Sequence, residues 1–498
     1  MMNQADAPDG RALTRNMAPA DPAVTGKVLV VDLDGTLLRS DMLYESFWSA
    51  FAGDWRTPMA ALGGLRRGRA ALKERMAGLS IPDPASLPYR PEVLALIEEW
   101  RRAGGRVVLA TAADREVAEA VAGHLGVFDA VHGSDGQTNL KGAAKAAELN
   151  RIYGTGGYVY AGDSEADLPV WQEAAGAITV GASAALRRRA EALHADARHL
   201  ASPSRLGGLR AAIRAMRPHQ WLKNLLIFLP VVSAHAFDAL TLTTAALALV
   251  AFSLVASSVY LLNDLMDLRA DRAHPRKRNR PLASGALAIP TAMALTPVLL
   301  LAGLALAIWL GPGFLAVLAV YYALTVGYSL VLKRKALVDI AALATLYALR
   351  VVAGGVATGI ELSVWLVAFS VFLFFALAAV KRQAELIDLD GRGLTNVSGR
   401  GYATPDLPVV RQMAMSAGFV SVVVLMLYLQ EPANQARYAF PELMLGVCLI
   451  LLYWITRMVL LANRGQMDDD PVVFAVKDRV SLGCGLVSAA MVAGAILW

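Results

Sequence analysis

Cysteine is almost missing from this chain: of 498 residues only Cys448 and Cys484 carry a thiol, both inside apolar runs and without C-x-x-C spacing. That argues against a disulfide framework and a thiolate zinc site. The seven histidines show no metal-ligand spacing. No G-x-S-x-G, Walker A or G-x-G-x-x-G motif stands between a strand and a helix, so triad-hydrolase, nucleotide-loop and dinucleotide readings are poor. The first 26 residues, rich in Ala, Asp and Pro, lack the apolar core of a cleaved signal peptide. They read as a disordered tail, residues 1–26, and leave the part that follows expected in the cytosol.

Charged residues are also few, at 18%, against 56% hydrophobic residues and a mean hydropathy of +0.46. Membrane spans are therefore expected. The excess is uneven, since residues 1–216 read as soluble and 217–498 as a string of spans. Apolar runs begin near Trp221, Thr241, Thr291, Phe314, Asp339, Val364, Arg411, Pro441 and Val480, which predicts an all-α bundle of nine transmembrane helices. A net charge of +6 could suggest nucleic acid, but the cations concentrate in alternate loops between these runs. Residues 263–290, 333–338, 381–410 and 463–479 hold six, three, four and three of them, whereas the opposite loops hold only Arg437. That asymmetry predicts an N-terminus inside, a C-terminus outside and no nucleic-acid partner.

The most informative stretch runs from Asn263 to Pro281, N-D-L-M-D-L-R-A-D-R-A-H-P-R-K-R-N-R-P, between two apolar runs. Asp264, Asp267 and Asp271 are spaced three and four apart, so on one helix they share a face. Such carboxylates suit a hard divalent cation, which in turn neutralises a diphosphate. Arg269, Arg272, Arg276, Lys277, Arg278 and Arg280 offer phosphate contacts. A solvated loop obeying the positive-inside rule would explain the cations but not the acid register. Ionisable residues in or beside other spans are further candidates, namely Asp339, Arg350, Lys381 and Glu385. Arg457 is expected to snorkel to the headgroups.

N-D-x-x-D-x-x-x-D at a helix end resembles the first signature of the UbiA superfamily of membrane prenyltransferases. Its continuation D-R-x-H-P-x-K-R-x-R-P resembles the decaprenyl-phosphate phosphoribosyltransferase branch. Support comes from Arg217-Pro218-His219-Gln220-Trp221-Leu222-Lys223-Asn224, from Tyr328-Ser329 with Lys333 and Asp339, and from Lys381-Arg382 with Glu385. The resemblance implies Mg²⁺ on Asp264, Asp267 and Asp271. It also implies substrate binding by Lys223, Asn224, Asn263, Lys277, Arg278, Arg280, Tyr328, Lys333, Asp339, Lys381, Arg382 and Glu385.

The soluble part carries a second set of motifs. Lys27–Val31 is an unbroken buried strand ending in Asp32-Leu33-Asp34-Gly35-Thr36. Val107–Ala110 ends in Thr111, Lys141 opens a helical segment, and Tyr158–Ala161 ends in Gly162-Asp163-Ser164-Glu165-Ala166-Asp167. Helices between strands predict a Rossmann-like α/β domain, 27–182, with its polar groups at strand C-termini. Leu43–Phe51 and Thr57–Met76 suggest a small helical cap, and 183–216 a linker ending in an interfacial helix.

The order D-x-D-G-T, Thr, Lys, G-D-S-x-x-D resembles the haloacid dehalogenase superfamily of phosphatases. That resemblance implies Asp32 as nucleophile, Asp34 as general acid and base, Thr111 on the phosphoryl oxygens and Lys141 screening charge. It also implies Mg²⁺ on Asp32, Asp163 and Asp167. Together the two resemblances imply a bifunctional enzyme of the bacterial inner membrane, with its active sites on the cytosolic side. It would move phosphoribose from phosphoribosyl diphosphate to a polyprenyl phosphate, then remove the 5-phosphate, as a step toward a cell-envelope glycan. Two rivals share its residues: an aromatic prenyltransferase with a fused phosphatase, and a membrane-anchored phosphatase.

Overall fold

In the computed structural model the described residues are 27–497, apart from 136–137, 201–204, 396–399, 436–437 and 468–469. The expected tail, 1–26, lies outside them, as do Arg437, Asp468 and Asp469. The chain forms two compact units, one of residues 27–215 with Asp264–Ala292 and one of Met216–Asn263 with residues 293–497.

The first unit is built on a six-stranded, fully parallel sheet: β1 Val28–Val31, β2 Val107–Asp114, β3 Ala130–Ser134, β4 Tyr158–Gly162, β5 Gly176–Val180 and β6 Arg198–Leu200. Their order is β3-β2-β1-β4-β5-β6. Alternation along β1 explains why the strand has no polar face. Leu29 and Val31 enter one apolar cluster with Val93, Ile97 and Trp100, while Val30 enters another with Tyr160 and Trp171. The chain leaves β3 at one side and returns at β4 beside β1, so the crevice at the β1 and β4 C-termini is where ligands collect in such sheets.

Two boundaries differ from the sequence reading. β2 continues past Ala110 to Asp114, and β6 lies inside the stretch assigned to a linker. Arg198–Leu200 is a three-residue edge strand, too short and too polar to show a strand period. The cap is three helices, Met42–Gly53, Thr57–Arg66 and Arg69–Leu79, because Gly68 at φ +112° breaks the expected second run.

The second unit is helical. Among the described residues seven helices are long and apolar enough to cross a membrane: Ala239–Met266, Ile289–Leu310, Pro312–Leu330, Val338–Thr358, Val364–Asp390, Thr404–Gln430 and Leu443–Asn463. The two remaining runs of the nine are shorter. The one at Trp221 forms the tight 3-10 helix Pro218–Phe228 and then Leu229–Ser233, with Pro218 and Pro230 each opening a new segment. The last is the short apolar helix Arg479–Ala495.

Candidate functional site

In the first unit the chain turns sharply after β1, and Gly35 makes the turn possible. It has φ +74°, and a Cβ there would stand 2.1 Å from Asp163 Oδ2. This close approach brings Asp32 to the loop after β4. Asp32, Asp163 and Asp167 each offer a carboxylate oxygen, all within 4.8 Å of one another, the one such acidic group of three among the described residues. Asp167 is oriented by its own hydrogen bonds: Oδ2 accepts from the Asp163 and Ser164 amides at 3.1 and 2.9 Å, and Oδ1 from the Tyr160 hydroxyl at 2.9 Å. Burial and the charges of Asp32 and Asp167 push Asp163 up to about 7. Burial also raises Asp32, partly offset by Lys145. An excess of buried negative charge with convergent oxygens fits a hard divalent cation such as Mg²⁺.

The lysine beside Asp32 differs from the sequence assignment. Lys145 Nζ lies 3.0 Å from Asp32 Oδ1 and donates to Tyr160 Oη at 2.7 Å, and its residue is 3% exposed. Lys141 is exposed and lines the same cavity. The helix begins at Ala143, so Lys145 falls in its first turn, while Lys141 stays in the loop before it. The i, i+4 pair of lysines was legible in the sequence; which of them faces Asp32 was not.

Asp34 accepts the Met42 amide at 2.8 Å, and burial followed by the Asp41 charge raises it well above the usual carboxylate range. A buried acid that holds its proton suits a leaving-group donor. Thr111 is fully buried, with its hydroxyl oxygen accepting the Ala113 amide at 2.9 Å. It lies within β2, and the cavity lining includes its neighbour Ala112 instead. Lys73 of the cap, which the sequence did not single out, reaches over to the Ala112 carbonyl at 2.5 Å. The cavity holds about 470 Å³.

The Asp-rich segment does not form one continuous helix. Asp264 ends the helix Ala239–Met266, Asp267 sits at the break, and Asp271 lies on the short helix Leu268–Ala273. Asp264 and Asp271 are nevertheless drawn together by Arg280, whose Nη1 stands 3.1 Å from one and 2.6 Å from the other. Both carboxylates are buried. Arg280 thus supplies their counter-charge, and among the described residues Asp264, Asp267 and Asp271 do not converge as a three-ligand group. The side-chain oxygen of Asn263 is buried without a hydrogen-bond partner among the described residues, which leaves it an open acceptor. His274 Nδ1 accepts the Arg276 and Lys277 amides at 3.2 and 3.4 Å, a turn role. Lys277 is half-buried and Arg278 exposed.

The second unit gathers the other candidates into two buried networks. Lys223 pairs with Asp470, which itself caps the helix Pro471–Lys477. Lys381 interacts electrostatically with both. Asn224 donates to Ser253 at 2.8 Å and accepts from Arg350 Nε at 2.8 Å, and that guanidinium packs on Phe252, Tyr321 and Tyr347. In the second network Asp339, fully buried, accepts the Tyr328 hydroxyl at 2.7 Å and pairs with Arg382. Arg400 donates to Tyr328 at 3.2 Å and to Glu385 at 3.1 Å, and Glu385 also pairs with Arg382. Lys333 lies half-buried in the turn Leu332–Arg334. Arg457 forms a two-pronged pair with Asp478, at 2.6 and 3.0 Å. The sequence reading missed Arg400, an isolated residue with no pattern around it. Asp470 was signalled by the Asp-Pro start of a helix.

A parallel α/β domain with phosphatase-like acids at its switch point, joined to helices of spanning length, defines an integral membrane protein with a hydrolase-type domain. Residues 29–172 match the model for haloacid dehalogenase-like hydrolases, and residues 224–475 that for the UbiA prenyltransferase family. The chain belongs to the UbiA prenyltransferase family. It is 38% identical over 469 residues to the uncharacterized protein y4nM of Sinorhizobium fredii, covering 93% of this chain and 90% of that one. Nodulation protein NoeC of Azorhizobium caulinodans is 38% identical over 270 residues, 54% of this chain and 88% of its own. The decaprenyl-phosphate phosphoribosyltransferase of Corynebacterium glutamicum is 41% identical over 180 residues, 35% of this chain and 54% of its own.

Proposed function

We propose that this enzyme transfers 5-phosphoribose from phosphoribosyl diphosphate to a polyprenyl phosphate and then removes the 5-phosphate. The carrying observation is the cation-dense segment Asp264–Arg280, in which two buried carboxylates close on Arg280, in a chain 41% identical over 180 residues to a decaprenyl-phosphate phosphoribosyltransferase. In the transfer, an oxygen of the lipid phosphate attacks the anomeric carbon, and the bond from that carbon to the diphosphate breaks with its electron pair leaving on diphosphate. Asp264, Asp267 and Asp271 would hold Mg²⁺, which supplies charge neutralisation for the departing diphosphate. Lys277, Arg278 and Arg280 steer the phosphates. Lys223, Asn224, Asn263, Tyr328, Lys333, Asp339, Lys381, Arg382 and Glu385 are the remaining candidate substrate contacts. In the second unit an apolar cavity of about 400 Å³, lined by Leu229, Phe369, Tyr428, Ile450 and Trp454, suits an isoprenoid chain.

In the hydrolysis, an Asp32 oxygen attacks phosphorus, the bond to the sugar oxygen breaks, and Asp34 gives that oxygen its proton. Asp34 then takes a proton from the water that cleaves the aspartyl-phosphate. Lys145 holds Asp32 in place and offsets its charge. Asp32, Asp163 and Asp167 would hold the Mg²⁺ of this site. The cation-rich loops support a reading in which both sites face the cytosol at the inner membrane. The separating experiment is Asp267→Asn, expected to abolish lipid labelling while hydrolysis of a soluble phosphoester continues. Full transfer in that variant would remove the metal from this segment.

A further inference from the structure

The segment that carries the three aspartates also closes the phosphatase cavity. Gly285, Ala286, Ala288, Ile289 and Pro290 line it together with Asp32, Lys145 and Asp163. The cavity therefore has a charged floor and one small, uncharged wall. Gly285, at φ +70°, lies so near that a Cβ there would stand 2.6 Å from Arg39 Cβ. Behind this contact Arg272 forks onto Glu45 of the cap helix Met42–Gly53, at 2.9 and 2.6 Å. Both side chains are buried, Glu45 at 2% exposure. Arg272 Nε also donates to the Ala283 carbonyl at 3.1 Å, and Ser40 Oγ to Glu45 at 2.5 Å. A buried, two-pronged ion pair of this kind fixes geometry, because breaking it leaves an unpaired charge. The wall also has an address. Ile289 and Pro290 are the first residues of Ile289–Leu310, a helix long and apolar enough to cross a membrane.

We propose that Arg280–Pro290 is the substrate-selecting wall of the phosphatase cavity, held by Glu45 and Arg272 as positioning residues, and that it favours a phosphoester presented on a membrane lipid. The charged floor takes the phosphate, and the uncharged wall accommodates the sugar and the neck of its lipid carrier. This rests on the function proposed above and adds to it how the second substrate is chosen. The test compares kcat/KM for polyprenyl-phosphoryl 5-phosphoribose and for free ribose 5-phosphate, with the full-length enzyme in lipid nanodiscs. Glu45→Gln loosens the wall, and Ala288→Phe, at an exposed lining position, crowds it without disturbing a buried contact. In both variants the ratio of lipid to free substrate should fall about tenfold or more, through KM for the lipid. An unchanged ratio in Ala288→Phe, or a parallel loss on both substrates, overturns the wall. Wild-type enzyme that hydrolyses ribose 5-phosphate but leaves the lipid untouched overturns the function beneath it, and that result is visible before any variant is made.

Discussion

At the scale of single residues, the phosphatase motifs gave positions along the chain but not directions. Asp32, Asp34, Asp163 and Asp167 stand at strand ends because unbroken apolar strands stop there, which a sequence displays. The lysine partner depends on where a helix begins, and Gly142 at φ +59° shifts that start past Lys141. Lys145→Met is therefore expected to lower kcat on a soluble phosphoester by on the order of 10² or more, the scale of losing one preorganised charge contact. Lys141→Met should change mainly KM, and equal losses in kcat would return the role to both. A pH profile tests Asp34. Its raised proton affinity comes from burial first and then from Asp41, so Asp41→Asn, which keeps the cap to the Leu43 amide, removes only the like charge. The pKa of Asp34 then falls, its proton is lost earlier, and the alkaline limb of kcat should move to lower pH. A limb that stays in place would mean another group sets it.

At the scale of elements, what was legible was what repeats. The buried strands β1, β2 and β4, the helix Pro91–Arg102 and seven long apolar runs all carry strong periodic or compositional signals. What was not legible depends on partners distant in sequence: the edge strand β6, the 3-10 helix Pro218–Phe228, and the break at Asp267. The second is fixed by buried bonds from Lys223 to Asp470 and from Arg350 to Asn224, across 247 and 126 residues. Arg280 shows the same limit. Sequence spacing assigned it to phosphates, and the structure adds its ion pairs to Asp264 and Asp271, which the spacing did not show. Arg280→Ala should therefore lower thermal stability in chelator, because two buried carboxylates lose their counter-charge. Adding Mg²⁺ should recover more stability in the variant than in wild type, since the ion takes the vacated place. Identical Mg²⁺ responses would argue against a shared cation position.

At the scale of the whole molecule, two chemistries share one chain, and relatives divide along the same line. The likeness to y4nM covers 93% of the chain, whereas that to the C. glutamicum phosphoribosyltransferase covers 35%. In the proposed function, fusion has a thermodynamic use, because removing the 5-phosphate would draw a reversible transfer forward. Asp32→Asn should accordingly leave transfer intact and accumulate lipid-phosphoribose that still bears its 5-phosphate, read by mass spectrometry. Full yield of dephosphorylated lipid from that purified variant would break the coupling.

Which donor the membrane unit uses decides between the proposed function and its nearest rival. Purified enzyme with Mg²⁺, polyprenyl phosphate and phosphoribosyl diphosphate labelled in the ribose, followed by lipid extraction, measures this directly. The expected result is label in the lipid phase, carried on a polyprenyl-phosphoryl ribose without its 5-phosphate. No labelled lipid, together with turnover of a prenyl diphosphate onto an aromatic acid, would contradict it.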